Sequence, residues 1–432
     1  MSIQQSTQAD IKQLTLILPG GVKVGIKEIF DEINIFENVM FPCSSGNIVI
    51  RDAIGLASKI NFDGSERVLI EITKDVDSDD TNLSPVYNKT FVIYKKTNRA
   101  QLTQNSEIYT LHFVAEEFLL SQQKKIRKTY TGTYTDIVRQ ILREYLLIGD
   151  LLGDVANIYE TKGIHTITIP NLSPIEAIEF ITKRASSNEG VPDFLFWQTR
   201  LGYNFMPVSW IMSNSSQYKI TFGVKNIGEL IEYDMYGARD FKILSQFNSA
   251  ENIASGVYAG TFIGFDTLTR TIQTTKLNFD DVYKLSSHAN SNGMNTKIYN
   301  KENTPATEMY DSRITLYPFQ LDRANNAYLK ENDSESANII DDSHNYILQR
   351  KSIFANLLQK RIRIVMPGNF KLMAGILVDA DFPNQFNETD KEKDGDKSLM
   401  GKYMILSVRH IIRYDKHETI LEVATDSTNY GT

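Results

Sequence analysis

Histidine, cysteine and carboxylate spacing is where chemistry would first show in this chain. The six histidines are His112, His165, His288, His344, His410 and His417. None lies four residues from another, so no helical turn presents the i, i+4 pair of a zinc site. His417-Glu418 opens like a metalloprotease motif, but Leu421 stands where the second histidine belongs. His410 sits in the alternating run Leu406-Ser407-Val408-Arg409-His410-Ile411 and reads as an edge or interface histidine. Asp75, Asp77, Asp79 and Asp80 begin like a calcium loop. Asp80 replaces its glycine and Val86 its final glutamate, so the stretch reads as a solvated acidic loop.

Two carboxylate pairs, Glu116-Glu117 and Asp379/Asp381, are of the type that glycoside hydrolysis uses. That chemistry needs the two acids across a cleft at a fixed separation, which adjacency in sequence does not supply. Cys43 lies between Pro42 and Ser44 with no histidine beside it, and reads as an inert thiol near a strand start. The chain carries no glycine-rich nucleotide loop and no nucleophile elbow. Basic residues cluster at Lys95-Lys96 and Arg99, and again at Lys124-Lys125-Arg127-Lys128. They read as solvated faces; the functional alternative is a surface lining a nucleic-acid passage or pairing with an acidic subunit. No catalytic, cofactor-binding or metal-ligating residue is assigned, and no cofactor is expected.

The elements that would position such residues belong to a large chain. It has 432 residues, which suggests about three domains. Hydrophobic residues make up 41% and charged residues 23%, a composition that excludes wholesale disorder. The net charge of −7 argues against a dedicated duplex-DNA binder. One cysteine permits no intrachain disulfide, so nothing requires an oxidising compartment. The polar start, Met1 to Lys12, predicts no signal peptide, and apolar runs of six or seven residues are too short to span a bilayer. A soluble protein made in a reducing cytoplasm is the expectation.

The first 115 residues read as turn-punctuated strands, around Leu14–Leu18, Val22–Ile26, Ile33–Phe36, Ile48–Ile50, Val68–Ile72, Phe91–Tyr94 and Ile108–Val114. From Glu116 to Ser213 the pattern changes. Ile137, Val138, Ile141, Leu142, Tyr145 and Leu146 predict an amphipathic helix over Thr135–Leu147. Ser173-Pro174-Ile175-Glu176 predicts a second helix opened by a capping box. Phe194–Trp197 and Tyr203–Met206, around Arg200-Leu201-Gly202, predict an aromatic hairpin. Strand signals return at Gly256–Thr261 and Thr269–Thr275. Ser286–Asp311 and Asn332–Asp342 read as polar loops. Tyr346–Leu358 reads as a helix, and Arg361–Met366, Ile376–Val378, Tyr403–Ile412 and Thr419–Ala424 as strands. Asp390–Lys397 is expected as an exposed loop tip. Leu18-Pro19-Gly20-Gly21 echoes Met366-Pro367-Gly368-Asn369, four residues too few to establish a duplication.

The order of these elements resembles the baseplate hub proteins of contractile-tailed bacteriophages, the tail hub or VgrG-like tube-domain family. The opening strands carry it: Ile33-Asn34-Ile35-Phe36-Glu37-Asn38-Val39-Met40-Phe41-Pro42, Ser45-Gly46-Asn47-Ile48-Val49-Ile50-Arg51-Asp52, then Gly55-Leu56, Ile60 and Gly64-Ser65-Glu66-Arg67-Val68-Leu69-Ile70. The middle is similar in Tyr130-Thr131-Gly132, Ile169-Pro170-Asn171-Leu172-Ser173-Pro174 and the aromatic hairpin to Phe205. At the C-terminal end, Pro367-Gly368-Asn369-Phe370-Lys371-Leu372-Met373-Ala374-Gly375 and Gly401–His410 match the family's turn and strand. The resemblance covers most of the chain; Ser286–Asn345 and the long loop Phe382–Leu399 fall outside it.

The resemblance implies an α+β, β-dominated fold with two tube-type β-barrel domains and an inserted helical/α+β domain. Residues 1–115 would form the first barrel, with 215–240 as a candidate completion. Residues 116–214 would form the insert. Residues 215–345 would start the second β domain with long polar loops, and 346–432 would complete its barrel. The implied function is that of a non-enzymatic hub subunit in the virion's tail baseplate, assembled in the host cytoplasm. Three copies would form a pseudo-sixfold ring joining the sixfold tube to the threefold spike. Implied partners are further copies of itself, the central spike, the tube or tube-initiator protein, the tape measure and the baseplate wedge. DNA would pass through the lumen without specific binding, and no membrane is involved. The alternative is a tail-associated cell-wall glycosidase or peptidase using acids such as Glu116-Glu117. A third reading, a single-strand nucleic-acid binder using Lys124–Lys128, is opposed by the acidic balance.

Overall fold

Side chains that alternate between apolar and polar at every second residue settle as strands, and among the described residues the strands build one long sheet and three small ones. The computed structural model describes residues 9–73, 87–148, 155–222, 236–266, 270–294, 298–319, 343–383, 396–414 and 416–429. The first region holds β1 (Asp10–Ile17), β2 (Lys23–Gly25), β3 (Phe30–Asn38), β4 (Ser45–Asp52), the short helix α1 (Leu56–Lys59), β5 (Arg67–Thr73), β6 (Tyr87–Thr103) and β7 (Ser106–Val114). In β4 the alternation is strict. Gly46, Ile48, Ile50 and Asp52 are buried and the residues between them are not. The strands run β3-β4-β7-β6-β5-β1-β2 in space and curl around Leu14, Leu16, Ile33, Ile70, Phe91 and Phe113.

The inserted segment holds α2 (Glu116–Gln122), β8 (Thr129–Gly132), α3 (Tyr134–Leu146), β9 (Val155–Ile158), β10 (His165–Thr168), α4 (Pro174–Thr182), β11 (Phe194–Thr199), β12 (Gly202–Pro207) and α5 (Val208–Ser213). The Thr133 side chain caps α3 by accepting the Asp136 N–H at 3.1 Å. Pro174 opens α4, and Glu176 accepts the Ser173 N–H at 2.8 Å. These bonds hold the Glu176 carboxyl down at about 2, through the Ser173 backbone first, then its side chain and Lys125. The predicted aromatic hairpin forms with a two-residue turn at Arg200-Leu201. One of its faces, Phe194, Phe196, Tyr203 and Phe205, packs on α3 and α4; the other carries Leu195, Trp197 and Met206 into a separate core.

The second barrel is built from β13 (Tyr218–Phe222), β14 (Gly237–Ala238), β15 (Asp240–Ser245), β19 (Lys360–Pro367), β20 (Leu377–Asp381), β21 (Gly401–Arg413) and β22 (Lys416–Thr425). It closes on itself. β21 pairs β20 and β22, β20 pairs β13, and β13 pairs β14. The Arg239 N–H, between β14 and β15, then bonds Val365 O on β19 at 2.8 Å. Ile220, Ile362, Met366, Val378, Tyr403 and Val423 fill it. Of the two places open to 215–240, strand pairing uses this one: β13 runs parallel to β20 and belongs to the second barrel, not the first.

Between β15 and β19 the chain forms α6 (Ser249–Ala254), β16 (Ala259–Asp266), β17 (Thr271–Asn278), α7 (Phe279–Leu285), β18 (Ile314–Phe319) and α8 (Ser343–Leu357). The expected polar loop Ser286–Asp311 includes two short 3-10 turns, at Ala306–Glu308 and Tyr310–Ser312. The acidic run Asp75–Asp80, Asn332–Asp342 and most of the loop 382–399 lie outside the described residues. The fold is thus β-dominated α+β with two barrels. They share one sheet, because β21 pairs antiparallel with β3 from Ser407↔Asn38 to Ile412↔Ile33.

Candidate functional site

The two barrels and the insert meet beside that β3–β21 seam. Glu37 lies on β3 at the same parity as Ile33, Ile35 and Val39, and all four are buried. A carboxylate in that position must find donors. It receives the Arg200 N–H at 2.7 Å from the hairpin turn and the Ala374 N–H at 3.3 Å from the loop after β19. Burial is the dominant influence and pushes its pKa up to about 7, against those two N–H bonds and the nearby Lys89 and Arg200. One carboxyl therefore ties all three parts of the molecule. Around it, Arg200 Nε donates to Phe370 O at 2.8 Å, and Trp197 Nε1 to Ala374 O at 3.0 Å. Gln198 Oε1 accepts from both the N–H and the hydroxyl of Ser44, at 2.9 and 2.7 Å.

Phe370 leaves the second barrel and plugs the core of the first, its ring 5.3 Å from Tyr87, 4.6 Å from His410 and 4.3 Å from His417. Two glycines make the loop possible. A Cβ on Gly368 would lie 2.0 Å from the His417 ring, and one on Gly375, at φ +90°, would lie 2.3 Å from Trp197 Cζ2. That is the physical content of the Gly368-Asn369-…-Gly375 spacing noted in the sequence.

Most of the sequence candidates take structural places. His410 is not at an edge: β21 is paired on both sides, and His410 Nδ1 lies 3.1 Å from His417 Nε2 and from Thr419 Oγ1. The two histidines meet diagonally across a hairpin, a contact their seven-residue spacing did not reveal. Among the described residues no three His, Cys, Asp or Glu side chains gather as a metal ion would require. Glu116 pairs with Arg67, whereas Glu117 accepts from Tyr203 at 3.4 Å. Asp381 lies 3.9 Å from Lys219. Cys43 is buried against Tyr203, and burial pushes its thiol up to about 12, the reverse of an activated nucleophile. Lys124 donates to Tyr145 O, Arg127 to Asn171, and Lys125 and Lys128 pair with Glu176 and Glu144. Arg99 pairs with Glu107, and Lys96 lies 4.8 Å over the Phe62 ring.

A cleft of about 290 Å³ opens beside the junction, between β11–β12–β9, α5 and residues 373–377. Both tryptophans of the chain, Trp197 and Trp210, line it, with Asn157, Asn204, Met206 and Met373. Its lining holds no carboxylate, histidine, lysine, arginine or thiol; Thr199 and Ser215 bring only hydroxyls, with no base beside them in the lining. Sequence reading missed Glu37, Arg200 and Phe370 as a unit. The one signal was a charged residue at an inward parity of an apolar strand.

Solved structures superpose on this two-barrel chain over almost its full length. A tail protein from Neisseria meningitidis MC58 superposes with a TM-score of 0.53 and 12% identity, covering 96% of this chain and 96% of that one. The 43 kDa tail protein of prophage MuSo2 from Shewanella oneidensis gives 0.54 and 8%, covering 96% and 98%. No protein-family model and no curated protein matches the chain. At these identities the likeness is one of fold. The chain shares the fold of these two tail proteins over almost its full length, in line with the fold class that the resemblance to hub proteins implied. Among the described residues no helix is long and apolar enough to cross a membrane.

Proposed function

We propose that this chain is a structural baseplate hub subunit of a phage contractile tail. One observation carries the reading. A single sheet runs through two barrels in a chain that superposes on phage tail proteins over 96% of its length. Two similar barrels per chain, repeated three times around an axis, give six barrels. Such a ring offers sixfold spacing to a tube and threefold symmetry to a spike. On this reading residues 1–115 are the first tube-type domain, 116–214 the insert, and 215–345 with 346–432 the second. The partners are two further copies of the chain, the central spike and the tube or its initiator, with the tape measure and wedge proteins beyond. The place is the tail baseplate of the virion, and the genome passes through the bore.

The role is mechanical and not catalytic. Support comes from the divergent partners of Glu116 and Glu117, the acids that the cell-wall-hydrolase alternative would use. Light scattering with negative-stain imaging tests the reading. A mass of three chains and a ring with a central hole, alone or with the spike, is the expected result. A monomer under both conditions defeats it. Peptidoglycan zymography is expected to show no clearing.

A further inference from the structure

The small sheet β17-β16-β18 is apolar on both faces, and among the described residues only one face is covered. Its inner face carries Phe262, Leu277 and Tyr317, packed with Phe279, Val282 and Leu348 of α7 and α8. Register fixes the outer face as a lattice of nine positions. Thr261, Lys276 and Ile314 form one row, Ile263, Thr274 and Leu316 the next, and Phe265, Ile272 and Pro318 the third. The Tyr310 turn covers one end: Thr261 bonds Tyr310 O, and Lys276 lies over the Tyr310 ring. The rest is open. Leu316 is 74% exposed, Ile272 67%, Ile314 54% and Phe265 42%.

Isolated exposed apolar residues are ordinary, but four on adjoining positions of one sheet are not. Together they present roughly 400–500 Å² of apolar surface, the size of the largest patch on a typical monomer, which is often functional. We infer that this outer face is a subunit contact, covered in the assembled protein by a second copy of the same chain.

Composition selects that occupant. Lys276, already engaged over Tyr310, is the one charged residue among the nine positions. Permanent homomeric interfaces are depleted in charge and strongly apolar, whereas transient partners meet on surfaces no more apolar than the average. The open area is about half of one side of a standard interface, the share expected of an interface core. In a closed ring each copy offers one surface to one neighbour and a different surface to the other, so the sheet face meets another part of the adjacent chain. The inference rests on the hub reading and deepens it.

The test replaces Ile272 and Leu316 together, Ile272→Glu with Leu316→Glu, and uses Ile164→Glu, at a lone exposed apolar residue of the insert, as control. Wild type and control are expected to scatter as three chains, alone or with the spike. The double variant should scatter as one, its self-association weakened at least 100-fold. Its circular dichroism should match wild type, since both side chains point into solvent. A double variant that trimerises within threefold of wild type overturns the inference and leaves the hub reading standing. Trimerisation with loss of binding to another tail protein also overturns it, by giving the face to that partner. A wild type that is monomeric alone and with the spike overturns the hub reading first and this inference with it. If the double variant does not fold, a photo-crosslinking residue in place of Leu316 decides. A covalent dimer of this chain supports the inference, and its absence overturns it.

Discussion

At the β3–β21 seam and on the outer face of β16–β18, the same kind of surface meets opposite fates. At the seam both strand edges are consumed by backbone pairing, Phe370 seals the core, and Glu37 is clasped by two N–H groups. On the small sheet, Leu316 and Ile272 face water. The seam is finished within one chain; the outer face is not. On the proposed hub reading, the difference separates the stability of each copy from the joining of copies. Changes at the seam should lower melting temperature without altering which surfaces associate, and changes on the outer face should do the reverse.

Phe370→Ala is the strongest way to break that separation. It empties a buried ring site shared by both barrels, and large-to-small changes of this kind cost about 3–5 kcal/mol. Urea melts should show that loss, with the folded fraction still associating. An Ala variant as stable as wild type would mean that Phe370 does not bind the barrels together.

Glu37 gives the seam a pH signature. Its folded pKa lies near 7, above the ordinary 4.5, so between those values the folded chain holds a proton that the unfolded chain has released. Stability is therefore full below about pH 4.5 and declines as pH rises through 7, by about 3 kcal/mol. Asp193, pushed by burial to about 6, adds a slope of the same sign. Glu37→Gln should flatten most of the difference between urea melts at pH 5 and pH 8. An unchanged difference would move the titrating group elsewhere. Gly375→Ala comes next. Its Cβ would meet Trp197, and its φ is left-handed, so a cost of about 2 kcal/mol is expected in the same assay.

What the sequence made legible follows the range of the forces involved. The strand around Ile48–Ile50, the capped start of α4 and the aromatic hairpin are set by neighbours in the chain and form where predicted, with Gly202 paired in the strand and not in the turn. β18 and α7 were not read, because a parallel partner and a covering helix must be brought from far along the sequence. The closure of the second barrel by β13–β15 joins residues more than 110 positions apart, through pairings that leave no local pattern. The outer face hid for a related reason. Ile314, Leu316, Ile272 and Phe265 look unremarkable in their own segments, and only register makes them one surface.

The smallest effect sharpens the comparison from the other side. Lys124, Lys125, Arg127 and Lys128 look in sequence like a surface for nucleic acid, yet each reaches a partner within its own domain. Lys125 and Lys128 are about half exposed, and pairs of that kind contribute no more than about 1 kcal/mol each. Lys125→Gln with Lys128→Gln should therefore leave the mass of the assembly unchanged and lower stability by at most about 2 kcal/mol. A salt-dependent oligonucleotide affinity that these changes abolish would show that the ion pairs are a resting arrangement of a DNA-facing surface. The cluster would then resemble the outer sheet more than the seam, as a surface completed only by something outside the chain.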